Sequence, residues 1–346
     1  MVMSMTPSSI SYLFSMPGKP WLGCKLPEKR DHLISLRAIP GRLGLSIWRH
    51  LKDPPRSSCP KGQHLTSPGA WNLIGQTSQN GEKREMGLVA FPELCARAYT
   101  LEDIRYIRKL GLKAAEINLL RGEGIFEDLS VLRSLGAELG ISYVVHGPNE
   151  GDPCDLRKLG GSFFERILAI MDASLEIGAR VLTVHFWMDR RFIPREVVSR
   201  KAEILERMAL EGEKRGLILC LENLSEDPQD LRLALEISPF LGLTLDVGHG
   251  QLMSSRNRAL ELLEAYPTRV KHVHIHDNRG GSLVEDDLHL PVGEGCVDFE
   301  SFFQALMRRG YRGLLSLEVS SDALDESIRR VRVLLQEARR KATHGN

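Results

Sequence analysis

The stretch LILCLENLSEDPQDLRLALEISPFLGLTLDVGH, residues 217–249, decides the fold. LILCLEN (217–223) and LGLTLDVGH (241–249) alternate side chains as β-strands do, and the helical segment 228–237 joins them. Leu219, Leu221, Leu243 and Leu245 fall on one face, suited to packing against helices. Cys220 and Thr244 fall on the other, with Glu222 and Asp246 above them at the strand ends. This is a strand–helix–strand unit whose inner face rises from small residues to carboxylates.

The same unit recurs on both sides of it. GLVAF precedes a helix at 101–110, AAEINL one at 125–139, ISYVVHG one at 161–177 and RVLTVHF one at 194–215. Downstream, LGLTLDVGH precedes a helix at 256–265, VKHVHIHDN one at 298–309 and GLLSLEV one at 322–341. Eight such units within about 250 residues predict an α/β fold of the (β/α)8 TIM barrel type. A doubly wound sheet would carry a Gly-rich phosphate turn after its first strand, and AFPELCARAYT has none.

Residues 1–85 read differently. They hold 12 Lys/Arg against 5 Asp/Glu, 9 of the 17 prolines and three of the four tryptophans, without helical or strand period. The expectation is an unstructured or spurious extension over 1–85, with the barrel in 86–346 and a start at Met86. The remainder, with 34 Lys/Arg against 40 Asp/Glu, is mildly acidic, which argues against a broad nucleic-acid surface. Six scattered cysteines without a CxxC pair read as reduced thiols, and no apolar run approaches the roughly 18 residues of a membrane span. A cytoplasmic protein without membrane contact is expected.

In such a barrel the active site lies at the C-terminal strand ends. Strands three to eight end in His146, His185, Glu222, Asp246, His274 and Glu318. Loops add His249 in DVGH, and Asp287 and His289 in DLH. Imidazole and carboxylate donors without thiolate suit Zn²⁺, Mn²⁺, Co²⁺ or Fe²⁺. A single such histidine is usually a core residue; nine donors aimed at one mouth point to a divalent metal.

These residues carry a resemblance. HG at 146, His185, LEN at 221, DVGH at 246, HVHIHDN at 272, DLHLPVGEG at 287 and LEV at 317 resemble the xylose-isomerase-like TIM barrel superfamily over residues 86–341. That group contains sugar and sugar-phosphate isomerases and epimerases together with endonuclease IV. The resemblance implies one metal on Glu222, Asp246, His274 and Glu318. By the endonuclease IV pattern, His146, His185, His249, Asp287 and His289 would add sites, for one to three ions in all. It implies an isomerase or epimerase in which Glu222 and Glu318 remove and return a proton, with an enediolate between. The alternative is a phosphodiesterase acting on abasic-site DNA. HGPNEG and ENLSED, which stand where endonuclease IV-like chains carry other motifs, favour a small sugar or sugar phosphate as partner over nucleic acid. A barrel that binds metal without catalysis is a third reading, and an oligomer is compatible with all of them.

Supporting roles follow. Glu116 in AEI would orient substrate or a ligand, Asn223 would fix the neighbouring carboxylate, and His276 would contact substrate. His272 reads as a core residue or a partner to a ligand, and Asp277 and Asn278 as turn formers. Arg190 and Arg191 in FWMDRRFIPR, set among aromatics, would face nucleic acid, hold a sugar phosphate, or form a solvated helix entrance. Gly280, Gly281, Gly293 and Gly295 flank the seventh strand–helix loop, where barrels bind phosphate through backbone N–H groups.

Overall fold

The computed structural model describes residues 92–119 and 128–344. Eight parallel strands pair in chain order, and the last pairs with the first to close a barrel. They are β1 (Glu93–Ala98), β2 (Ala114–Asn118), β3 (Ser142–His146), β4 (Val181–His185), β5 (Ile218–Glu222), β6 (Gly242–Asp246), β7 (Val270–Ile275) and β8 (Leu314–Leu317). The helices are α1 (Leu101–Lys109), α2 (Leu129–Leu139), the single turn α3 (Leu156–Lys158), α4 (Phe164–Glu176), α5 (Arg195–Arg215), α6 (Pro228–Ile237), α7 (Arg258–Ala265), α8 (Phe299–Arg308) and α9 (Leu324–His344). The expected TIM barrel is therefore observed.

Local chemistry explains where the helices begin. Thr100 and Asp103 form a reciprocal capping box on α1, and Asp227 and Asp230 form another on α6, with Pro228 at its first position. Asn257 and Asp298 accept from the opening backbone N–H groups of α7 and α8.

One strand differs from expectation. GLVAF at 87–91 lies outside the described residues, as does the whole 1–85 segment, and the barrel's first strand is ELCARA at 93–98. Its short outward residues, Leu94, Ala96 and Ala98, join the helix-facing core, while Cys95 shares the interior with Ala114 and Val144. An arginine and a glutamate inside six residues hid the strand from a reading based on apolar runs.

Outward residues of the other strands, Leu182, Val184, Leu219, Leu221, Leu243, Leu245, Val273, Ile275, Leu315 and Leu317, are fully buried against the helix ring. The interior is narrower and more polar: Thr183 and Thr244 hydroxyls bond at 2.7 Å beneath the mouth. Burying this outer layer supplies the driving force that lets the mouth carry charge. Among the described residues Cys95, Cys220 and Cys296 are free thiols. Among the described residues no helix is long and apolar enough to cross a membrane.

Candidate metal centre

The strand phase read from sequence brings the expected side chains together at the C-terminal mouth. His274 Nδ1 lies 3.3 Å from Glu222 Oε1, 3.4 Å from Glu318 Oε1 and 3.6 Å from Asp246 Oδ2. On the other side of the ring, His274 Nε2 is 3.0 Å from Glu116 Oε1. A carboxylate only accepts, so Nε2 carries a proton, while Nδ1 faces three carboxylate oxygens and can offer a lone pair to a cation once its own proton leaves. Among the described residues Nδ1 is buried with no hydrogen-bond partner. Four acceptors facing one another repel unless a cation lies between them. Tetrahedral donors at about 2.0–2.2 Å from a zinc-like ion would stand about 3.3–3.6 Å apart, the spacing found.

Two other histidines follow the same rule. His146 donates Nδ1–H to the Gly147 carbonyl at 2.8 Å, so its Nε2 lone pair faces Glu222 Oε2 at 3.1 Å. His289 donates Nδ1–H to the Glu318 carbonyl at 3.0 Å, leaving Nε2 at 3.3 Å from Asp287 Oδ2. His289 sits at φ 45°, in the left-handed region, which histidine enters more readily than most side chains.

The donors fall into overlapping groups. His146, His185 and Glu222 form one, with His185 Nε2 at 2.9 Å from Glu222 Oε2. His249, His276, Asp287 and His289 form another, with His249 Nε2 at 3.2 Å from Asp287 Oδ2. Glu222 thus offers Oε2 to His146 and His185, and Oε1 to His274 and His249, the last at 3.2 Å.

Without a cation, protons carry the compensating charge. Burial opposes an ionised Glu222, but His185 and His274 outweigh it and hold the carboxyl well below its usual range. Burial likewise opposes a charged His274, yet Glu116, Glu318 and Glu222 push it well above the ordinary imidazole value. His249 is raised in the same way by Asp246 and Asp287, against its burial. His289, despite burial, is raised to about 9 by Asp287.

A polar frame orients these donors. Glu116 spans two histidines, with Oε2 at 3.1 Å from His272 Nε2, so the deeper of the two β7 histidines fixes the carboxylate that fixes the next. His276 is fully buried, places Nε2 2.9 Å from Asp246 Oδ1 and stacks on His289 at 3.8 Å. Its contacts are with donors, not an open cavity. Gly248 makes room for that ring: a Cβ there would lie 2.1 Å from His276 Cε1. Asn223 does not touch the Glu222 carboxylate. It brackets the Asp246 backbone, donating Nδ2–H to the carbonyl and accepting from the N–H, each at 2.9 Å.

Other expected residues have different partners. Arg190 bonds Asp230 at 2.7 Å, and Arg191 grips Asp189 while donating to the Ser225 and Met253 carbonyls at 3.0 Å. Both side chains brace the loops after β4, β5 and β6. Gly293 and Gly295 spend their N–H groups on Asp277 Oδ2, each at 2.9 Å, so they offer no phosphate cradle. Asp277 organises the loop instead, as its turn-forming reading implied.

Arg97 was missed. From the C-terminal half of β1 its guanidinium pairs with Glu318 Oε1 and donates to Asn118 Oδ1 at 2.9 Å, with 6% of its side chain exposed. The inward parity of Cys95 and Arg97 would have revealed it, had ELCARA been recognised as a strand.

A family model described as xylose isomerase-like TIM barrel matches residues 104–338. An uncharacterized protein of Methanocaldococcus jannaschii is 28% identical over 216 residues, 56% of this chain and 69% of that protein. An inosose dehydratase of Clostridium perfringens is 37% identical over 93 residues, 23% of this chain and 31% of that enzyme. The chain thus matches about a third of the inosose dehydratases' length. Among solved structures, a D-tagatose 3-epimerase-like protein has a TM-score of 0.61 at 24% identity, covering 72% of this chain and 99% of that one. An L-ribulose 3-epimerase has the same TM-score of 0.61 at 18% identity, covering 74% and 98%. At these identities the structural likeness establishes the shared fold.

Proposed function

The chain belongs to the xylose isomerase-like TIM barrel family, and from that premise we propose that it is a metal-dependent isomerase or epimerase of a sugar or sugar phosphate, working through an enediolate. The observation that carries this reading is His274 Nδ1 set among the oxygens of Glu222, Asp246 and Glu318. The relatives named as inosose dehydratase and as sugar 3-epimerases support a carbohydrate-type substrate.

In this reading Glu222, Asp246, His274 and Glu318 hold the ion. A divalent cation there would supply Lewis-acid polarisation of a carbonyl and its neighbouring hydroxyl, acidifying the C–H between them. Glu116 keeps His274 in the tautomer that presents Nδ1, and Asn223 and His276 hold Asp246 from its backbone and carboxylate sides. Glu222 and Glu318, from strands on different sides of the mouth, remove and return the substrate proton. The remaining donors, His146, His185, His249, Asp287 and His289, would hold further ions less tightly.

One observation favours the second reading, an endonuclease IV-like phosphodiesterase. Glu222 faces different imidazoles with its two oxygens, and His249 links it to a second group with His276, Asp287 and His289. Such a layout suits more than one ion, as polynuclear hydrolysis of phosphodiesters requires.

Solvent deuterium separates the two. Metal-loaded protein incubated with ketoses and ketose phosphates in D₂O should place deuterium on a carbon of substrate or product, and Glu318→Gln should lose this even under excess metal. Isomerases that move hydride between carbons escape this exchange, so products are analysed alongside. Cleavage of abasic-site DNA with no sugar turnover would overturn the sugar reading.

A further inference from the structure

Arg97 has more donors than partners. A guanidinium carries five N–H groups in one plane. One meets Glu318 and one meets Asn118, while Nε is buried with no hydrogen-bond partner among the described residues. A charged donor left unspent in a buried place is costly unless another acceptor arrives. Among the described residues Arg97 is also the one Lys or Arg ion-paired with any of the donor carboxylates. Its position at the C-terminal end of β1, between Asn118 of β2 and Glu318 after β8, puts it at the mouth beside the donor set.

The oxygen it holds is shared. Glu318 Oε1 meets the guanidinium and also lies 3.4 Å from His274 Nδ1, on the edge of the space assigned to the ion. Two cations on one carboxylate oxygen repel each other and divide its charge, so an ion drawn to Oε1 weakens the arginine's hold. The planar fork is then available to an oxyanion, whose geometry it matches with two parallel N–H bonds.

We propose that Arg97 receives an oxyanion of the substrate, a phosphate or carboxylate group, once a cation occupies the Glu318 side of the site. The inference rests on the metal reading above and narrows it to anionic substrates. It also assigns that recognition to β1 rather than to the glycine loop after β7, whose Gly293 and Gly295 N–H groups are already spent on Asp277.

The test uses the full chain loaded with Mn²⁺, with binding followed by calorimetry. Inorganic phosphate is titrated in one arm and acetate in the other, into wild type, Arg97→Lys and Arg97→Gln. Arg97→Gln should bind Mn²⁺ as tightly as wild type or more so, since a neighbouring positive charge is gone. It should bind the preferred anion at least about tenfold more weakly, the loss expected for one charged hydrogen-bonding contact. Arg97→Lys, which keeps charge without the fork, should fall between. Equal anion affinity in wild type and Arg97→Gln overturns the proposal alone. Loss of Mn²⁺ from Arg97→Gln overturns it too, because Arg97 would then serve only to hold Glu318. A wild-type protein that takes up no Mn²⁺ overturns the metal reading and this inference with it.

Discussion

Replacing Glu116 with glutamine tests whether a residue outside the four proposed ligands governs the centre. Its carboxylate accepts from His274 at 3.0 Å and from His272 at 3.1 Å, and it is fully buried. Burial alone would raise its pKa, but His274 and His272 hold it well below the usual range, so it is ionised in the fold. Glutamine keeps the volume but has one acceptor oxygen for two rings. Its NH₂ group must face the other ring, which then has to present a lone pair. If that ring is His274, the proton moves to Nδ1 and points at Glu222, Asp246 and Glu318, blocking the cation. Each charge-assisted hydrogen bond contributes about 1.5–3 kcal/mol, and loss of an outer partner of this kind weakens metal binding by about 10–100-fold. Calorimetric titration of Mn²⁺ into metal-free wild type and Glu116→Gln should show that loss, with circular dichroism confirming an intact barrel. Affinity unchanged within about twofold would refute the orienting role.

Three further outcomes are expected. Asp246→Asn should release the tightly held ion while His289→Ala retains it, measured as metal per chain after gel filtration; equal loss would mean one cooperative cluster. Gly248→Ala places a Cβ 2.1 Å from His276 Cε1, an overpacking that costs about 1–3 kcal/mol or more; a drop in Tm and weaker metal binding should appear together, and an unchanged melt would mean the ring has room to shift. The pH dependence follows from His289. Its folded value of about 9 lies above the ordinary one, so its protonation stabilises the metal-free fold fully below about pH 6.5. That contribution is lost as pH rises toward 9, where the ion no longer competes with the proton. The Tm difference between metal-loaded and metal-free protein should therefore widen from pH 6.5 to 9, and a constant gap would count against His289 as a donor.

What the sequence revealed followed from periodicity. In LILCLEN and LGLTLDVGH, outward leucines and inward small residues fix the strand phase, and phase alone sends Glu222 and Asp246 to the mouth. The same logic carried His146, His185, His274 and Glu318, because parallel strands buried on both faces leave few places for charge. It failed on β1, where Glu93 and Arg97 interrupt the apolar pattern and the outward residues are one leucine and two alanines. With β1 went Arg97. Partners across the barrel were also out of reach: Glu116 and His274 are 158 positions apart, and nothing local to AEI shows which ring it will meet. Asn223 was assigned to the adjacent carboxylate, since sequence shows neighbours along the chain but not across strands. Its two bonds to the Asp246 backbone bridge β5 to β6 instead. Arg190 and Arg191 looked available because Asp230 and Asp189, their partners, could equally have been solvated.

The central claim is that the Nδ1 lone pair of His274 and the carboxylates of Glu222, Asp246 and Glu318 together hold one divalent ion. Elemental analysis of the full-length protein, after reconstitution with Zn²⁺ or Mn²⁺ and removal of loosely bound ions, tests it most directly. At least one ion per chain should remain in wild type, and Asp246→Asn should emerge largely without it, its affinity lowered by well over the tenfold that about 1.4 kcal/mol of binding free energy represents. A wild-type chain that emerges without metal, or an Asp246→Asn chain that keeps its full complement, would contradict the account.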